Sequence, residues 1–479
     1  MGTENFKIKD KNNRRRFGSH ITSTQIFQNY IFPEIKAHLE KFIWVDLFAG
    51  EGNLILPVLN FISLDKREDF FKNQIFLFDV QEQMVKKCIE NAQGYNISSN
   101  LARKNIQLRD NLKDFPKILL NQNLPVYHIT NPPYLYLGYI MKHKSTQKYV
   151  ELFKGHNEGY QDLYQIAMMN DLRNGIDRLI YIVPTNFLFG ASVSNKFRRD
   201  FLPHYIVDKV IIFETQIFEF TGTNICITFL KKKDKPKNDI LSFWGVKVKQ
   251  GNKIFKKKYS LNPKYNYRAG SEFNEFLDNY RAREPLDISY YLLKKDVLSN
   301  QGSFKIQAID ANQYVNNKYK TIILSVNKKL KGKIENNILY VKTVDSGSYE
   351  ARVGLGLIKE DFNVSTIFVS GNTYRTHPIP LFFNPIISFE LQLLLYKYFS
   401  YVLEYFRKET DSEFLTTYKY SQAPYTRKYL GLTQTRKLIE TFPYSSLQSQ
   451  DIVNLKRYIS NDEFTKLTDL LIEIKERQK

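Results

Sequence analysis

The chain has 479 residues, of which 43% are hydrophobic and 15% aromatic, with 36 Phe and 32 Tyr. That composition excludes general disorder, and the length allows about three domains or two large ones. Its 70 Lys and Arg stand against 49 Asp and Glu, a formal net charge of +21, which makes a polyanion the leading expected partner. Two cysteines, Cys88 and Cys226, exclude a disulfide framework or a cysteine-built zinc or iron–sulfur site and fit a reducing cytoplasm. The charge is uneven: residues 1–230 hold 28 basic and 23 acidic residues, residues 231–479 hold 42 and 26. The second half is therefore expected to grip nucleic acid. The N-terminal twenty residues are charged with no apolar run behind them, and position 6 is Phe, so neither a signal peptide nor myristoylation is read.

In chain order, residues 24–40 space Ile26, Phe27, Tyr30, Ile31, Ile35 and Leu39 as one face of a helix. Phe42 to Phe48 is a short apolar run interrupted by Asp46 and followed by Ala-Gly-Glu-Gly, the pattern of a buried parallel strand entering a glycine turn. Helices are expected over 53–62 and 81–93, a second strand over Ile75 to Asp79, and a weaker third ending at Asp110. Three strand–helix units in order imply an α/β, doubly wound parallel sheet. Further strands are read at 126–130, 178–183, 206–213 and 224–230, with helices near 145–154, 160–174 and 191–201. The lysine run Lys231 to Lys237, broken by Pro236, reads as the exit from the sheet. Two domains are thus expected, 1–235 and 236–479, the second β-rich over 240–380 and helical over 385–479. The apolar stretch 385–406 carries Glu390, Gln392, Lys397 and Glu404, which makes it a core helix and not a membrane span.

A doubly wound sheet places its ligand at the carboxyl ends of its strands. Asp46-Leu-Phe48-Ala-Gly50-Glu-Gly52 lies there, and its two glycines let the backbone approach a ligand closely. The third glycine of a dinucleotide fingerprint is missing and no Lys-Ser or Lys-Thr follows, so pyrophosphate and P-loop readings score poorly. Asp79, at the second strand tip, is placed to accept from a ribose diol. Asp110, at the third, is placed to accept from an exocyclic amine.

After the fourth strand comes Asn131-Pro132-Pro133-Tyr134. A nucleobase amine is a poor nucleophile because its lone pair is delocalised. The Asn131 side-chain oxygen and the Pro132 carbonyl can accept its two N–H bonds, favouring a pyramidal nitrogen with a localised pair. The prolines stiffen the loop, and Tyr134 offers a face for stacking an extruded base. The seven histidines show no metal-ligand spacing, and no metal is called for. His20 and His128 lie nearest the site.

These motifs resemble those of N6-adenine DNA methyltransferases of the gamma motif order, over residues 17–233. Gly18 to Ser23, with Thr22, looks like the segment that closes over the cofactor's methionine. Asp46 to Gly52 is similar to the Asp-x-Phe-x-Gly-x-Gly signature. Asp162-Leu163-Tyr164 and Leu179 to Leu188 resemble the motifs that follow the catalytic loop. Phe218, with Phe220 as an alternative, matches the aromatic that pinches a flipped base opposite Tyr134. The resemblance implies S-adenosylmethionine as cofactor, held by Thr22, Asp46, Phe48, Gly50, Gly52, Asp79, Asp110 and Leu163, with Asn131, Pro132, Pro133, Tyr134 and Phe218 catalytic. It also implies double-stranded DNA as partner, a monomer acting on it in the bacterial cytoplasm, and a restriction–modification setting with a cognate restriction endonuclease. An RNA adenine methyltransferase, a protein-glutamine methyltransferase and a non-catalytic DNA-binding module remain the alternatives. The Asn-Pro-Pro-Tyr chemistry serves the first two equally.

Overall fold

The structure, a computed structural model, describes residues 22–190, 192–215, 217–218, 224–249, 251, 253–343, 353–373, 376–409 and 430–477. The chain divides into two compact units, residues 1–269 and 270–479. In the first, nine strands form one sheet: β1 Ile43–Asp46, β2 Ile75–Asp79, β3 Ile106–Leu108, β4 Val126–Thr130, β5 Arg178–Pro184, β6 Tyr205–Phe213, β7 Ile225–Lys232, β8 Leu241–Lys249 and β9 Lys253–Leu261. Their order is β3-β2-β1-β4-β5-β7-β6-β8-β9. The β1–β2, β1–β4, β2–β3 and β4–β5 pairs are parallel, and β7 runs antiparallel between β5 and β6.

The central strands are buried on both faces, which is why they read as continuous apolar runs and not as alternations. Along β1 and β2, Val45, Phe76 and Phe78 enter one core layer while Trp44, Ile75 and Leu77 enter the other. Burying each such side chain contributes about 1.5–3 kcal/mol. Helices Leu64–Gln74, Glu82–Gly94, Leu163–Arg173 and Ser192–Phe201 connect the strands. Two expected α-helices are tighter than the sequence pattern suggests. Residues 56–61, with Pro57, and residues 144–153 are 3₁₀ turns.

The boundary expected at 235 is corrected by the sheet itself. Residues 233–240 are a short connection, after which β8 pairs in parallel with β6 and β9 closes an antiparallel hairpin on β8. The first unit therefore ends at Ala269. Alternation in 241–248, with Leu241 and Phe243 buried between exposed Ser242 and Trp244, identifies a strand but not the sheet it joins.

The second unit holds a four-stranded sheet and a three-stranded sheet. Its main core gathers around the helix Phe389–Glu409, which buries Leu394, Leu395, Tyr398, Phe399, Val402, Leu403 and Phe406. No helix among the described residues is long and apolar enough to cross a membrane.

Candidate active site

The tip of β1 is held from below by a buried polar chain. The Leu47 N–H donates to His128 Nε2 at 3.1 Å, and His128 Nδ1 lies 2.6 Å from Asp171 Oδ2. Because Nε2 accepts, the ring proton sits on Nδ1 and points at the carboxylate. The Tyr181 hydroxyl donates to the same oxygen at 2.6 Å. Asp46 Oδ1 accepts from the Phe48 N–H at 2.9 Å and the Thr130 hydroxyl at 2.6 Å. Burial pushes the Asp46 carboxyl up to about 6 in spite of these donors. Asp46 thus shapes the turn from inside and does not face the cleft above it.

Gly50 and Gly52 adopt φ of +54° and +82°, the left-handed region that favours glycine. A Cβ on Gly52 would stand 2.6 Å from Leu56 Cδ1 and 2.8 Å from Cys88 Sγ, so this position is closed by packing. A Cβ on Gly50 would meet nothing within 4 Å; it would enter the open cleft. The Gly50 N–H donates to Asp79 Oδ2 at 2.9 Å and the Gln81 N–H to Asp79 Oδ1 at 2.8 Å. Asp79 therefore ties the first turn to the second, and burial holds its carboxyl above the ordinary range. A third tie runs from Asn111 Nδ2 to the Leu47 carbonyl at 2.6 Å.

A cleft lies above these turns. The expected residues Phe48, Gly50, Asp79, Asp110, Asn131 and Leu163 line it, as does Pro133. Asp110 lies 3.5 Å from Lys113 Nζ. The sequence reading missed Met84, Arg109, Lys148 and Tyr149, which also line the cleft. No motif marks the last two: the 3₁₀ segment after the Asn-Pro-Pro-Tyr loop brings them in by folding alone.

Asn131 follows β4 directly, and its amide is fixed at both ends. Nδ2 donates to Thr22 Oγ1 at 3.0 Å, and Oδ1 accepts from the Tyr134 hydroxyl, which also reaches the Ile182 carbonyl at 2.6 Å. Burial raises the Tyr134 phenol well above its usual value, so it remains a neutral donor. Tyr134 does not line this cleft. It lines a second cavity with Asp162, Tyr164, Pro184 and Asn186 among the walls. The hydrogen-bonded pair Asn131–Tyr134 thus has one member on each cavity. Asp162, whose carboxyl burial pushes up to about 7, accepts the Leu135 N–H at 2.9 Å and so anchors the chain as it leaves the loop.

The remaining expected residues lie elsewhere. Thr22 is buried against Asn131 and, through its carbonyl, against Asn53 Nδ2 at 3.0 Å. Phe218 is 4% exposed and belongs to the core layer that contains Phe213 and Ile225. Gly18 to Ile21, including His20, and the alternative Phe220 lie outside the described residues.

The family model described as N-6 DNA Methylase matches residues 15–328. No curated protein matches the chain. Similar solved structures include the type IIG restriction endonuclease BpuSI, at 12% identity and a TM-score of 0.46, covering 96% of this chain and 66% of that one. The DrdV–DNA complex matches at 11% identity and a TM-score of 0.40, covering 63% and 36%. A type I restriction-modification methyltransferase subunit from Streptococcus thermophilus matches at 15% and 0.35, covering 56% and 54%. This chain therefore spans only about a third to two thirds of those proteins. With the family model matched over more than half of its length, the chain belongs to the N-6 DNA methylase family.

Proposed function

We propose that the protein transfers a methyl group from S-adenosylmethionine to the N6 amine of an adenine extruded from duplex DNA, as the modification component of a restriction–modification system. The observation that carries this reading is Asn131, which lines the cleft and is clamped by Thr22 and by Tyr134, whose own ring lines a second cavity. One cavity suits the donor and the other the accepting base.

The residues of the cleft fit the cofactor. Gly50 leaves open space where any side chain would project, and Asp79 and Asp110 offer carboxylate acceptors to a ligand with hydroxyl and amine donors and a positive charge. S-adenosylmethionine, when bound, supplies a methyl group activated by its sulfonium. Asp79 would accept from the ribose, using lone pairs that its bonds to Gly50 and Gln81 leave over. Asp110 would accept from the adenine amine, and Phe48 and Leu163 would cover the apolar faces. Asn131 Oδ1 and the Pro132 carbonyl accept the two N–H bonds of the target amine and localise its lone pair. Tyr134 presents its ring to the base from the second cavity, and Phe218 would have to leave its core position to reach the opposite face. After transfer the ammonium proton leaves to water.

Residues 270–479 would read the DNA sequence, and a cognate endonuclease would act at the same site. The test is sequencing of genomic DNA from a heterologous host expressing the protein. N6-methyladenine in one recurring context supports the reading, and unmodified adenine throughout refutes it.

A further inference from the structure

The positive charge does not sit where a boundary at 235 would place it. Residues 231–269 alone hold 13 basic and 2 acidic residues, so that the first unit carries a net +16 and the second +5. The excess belongs to the first unit, and six of those 13 basic residues lie on the β8–β9 hairpin.

That hairpin pairs in continuous register from Leu241↔Leu261 to Lys249↔Lys253. Opposed residues share a face. One face therefore carries Trp244 opposite Lys258, Val246 opposite Lys256, and Val248 opposite Ile254. Trp244 is 61% exposed and Ile254 62%. Phe255 is exposed on the other face, with Lys249 Nζ 5.0 Å from its ring centroid. Lys247 and Lys249 meet Glu214 at 2.7 and 3.9 Å. Among the described residues, Lys253, Lys256 and Lys258 have no acidic partner. Lysines alone could serve to keep an edge strand from pairing with another chain. That purpose does not account for large apolar side chains interleaved with them in solvent.

The hairpin also stands in a telling place. β8 runs parallel to β6, with Val248 opposite Phe213, and the Glu214 N–H donates to the Val248 carbonyl at 2.9 Å. The Lys249/Lys253 end of the hairpin therefore lies on the carboxyl rim that also carries Asn131, beside Glu214. Lys256 and Lys258, alternate residues on one strand, are about 6.8 Å apart, far enough to reach separate phosphates of a DNA strand whose charges rise about 3.4 Å each along the helix axis.

We propose that the β8–β9 hairpin is a sequence-independent grip on duplex DNA. Lys256 and Lys258 neutralise backbone phosphates, and Trp244 and Ile254, on the same face of the hairpin, lie against the sugars beside them. The proposal rests on the DNA reading above and places phosphate binding on the catalytic unit.

The test uses the full chain and a 30-base-pair duplex of arbitrary sequence, with binding followed by anisotropy across a salt series. The wild type should bind with a steep salt dependence. The double variant Lys256→Gln/Lys258→Gln should bind at least about tenfold more weakly at low salt, with the log–log slope reduced by about 2, and with cofactor affinity by calorimetry unchanged. A wild type that binds steeply and a double variant with the same affinity and slope would overturn the grip and leave the DNA reading intact. A wild type that does not bind overturns both. A second readout needs no lysine change: Trp44 is fully buried, so in Trp44→Phe the remaining indole is Trp244, and its fluorescence should shift as duplex is added. Saturating DNA binding with no change in that signal also refutes the contact.

Discussion

At the β1–β4 side of the sheet, strand tips end in buried acceptors: Asp46 and Asp79 are 1% and 8% exposed, and Asn131 is held by two side chains. At the β8–β9 edge Lys253, Lys256 and Lys258 stand in open solvent among the exposed apolar side chains Trp244, Ile254 and Phe255. The difference is one of dielectric as well as sign. In a cleft shielded from water a single acceptor discriminates strongly, because an unmatched donor or acceptor there costs about 1–3 kcal/mol. At an exposed edge each charge is screened beyond about 10 Å at 0.1 M salt, so affinity comes from repetition. On the proposed reading, the central strand tips of the sheet would hold a small ligand in a single orientation while its β8–β9 edge would hold a polyanion in any sequence context.

The strongest way to break this comparison is Asn131→Ala. It removes one of the two acceptors proposed for the target amine, and single-turnover methyl transfer should fall at least ~100-fold. Affinity for an arbitrary duplex should be unchanged, the reverse of the pattern expected for the lysine variants. Transfer at the wild-type rate would remove Asn131 from the mechanism. Equal losses of transfer and duplex binding would show that the two sides of the sheet are not separable.

Asp79→Ala comes next. Loss of the proposed ribose contacts should weaken S-adenosylmethionine binding by about 1.5–3 kcal/mol, or ten- to a hundredfold, measured by calorimetry. The Gly50 and Gln81 N–H groups also lose their acceptor, so the melting temperature should fall as well. Asp79→Asn, which keeps a carbonyl oxygen, should recover much of the stability and less of the affinity. Unchanged cofactor affinity in Asp79→Ala would take this residue out of the site.

The strand-end positions of Asp46, Asp79 and Asn131 were legible because a parallel strand buried on both faces must end where its apolar run ends, but which way each points was not: Asp46 turns inward to Phe48 and Thr130, while Asp79 and Asn131 line the cleft. The supports were not legible. His128, Asp171 and Tyr181 are polar residues inside runs that read as ordinary core, and only the fold brings them within 2.6 Å. Tyr134 read as a ring face, yet its hydroxyl is what orders Asn131. The domain boundary failed for a similar reason: Lys231 to Lys237 with Pro236 has the composition of an exit, but the chain turns back and adds two strands whose alternation suits any half-exposed sheet.

Asp162 sharpens the comparison through pH. Burial raises its carboxyl to about 7 from an unfolded value of 3.8, so between those values the folded state holds a proton that the unfolded chain has released. Stability supplied by this group is greatest below about pH 4 and declines as pH rises towards 7. Asp162→Asn cannot titrate and keeps an oxygen for the Leu135 N–H. Its melting temperature should therefore fall less than that of the wild type between pH 5 and 7.5. Parallel curves would mean that Asp162 is ionised throughout that range.

The smallest expected effect concerns the Tyr134 hydroxyl. Reading the ring face alone makes Tyr134→Phe mild for transfer, and the geometry adds a cost of a different kind. The hydroxyl lies between Asn131 Oδ1 and the Ile182 carbonyl, so the substitution removes a buried hydrogen bond with a net value of about 0.5–1.5 kcal/mol and should lower the melting temperature. It also leaves Asn131 Oδ1 without the donor it must exchange for the target amine, which offsets any loss of alignment. Single-turnover transfer should therefore stay within a few-fold of wild type. Tyr134→Ala also forfeits a stacking surface of about 1–3 kcal/mol per base and should reduce 2-aminopurine fluorescence at the target position, the signature of extrusion. If Tyr134→Phe instead lost as much rate as Asn131→Ala, the hydroxyl would have to act during transfer itself, and the bond to Asn131 would be part of the reacting state and not a resting contact that the base displaces.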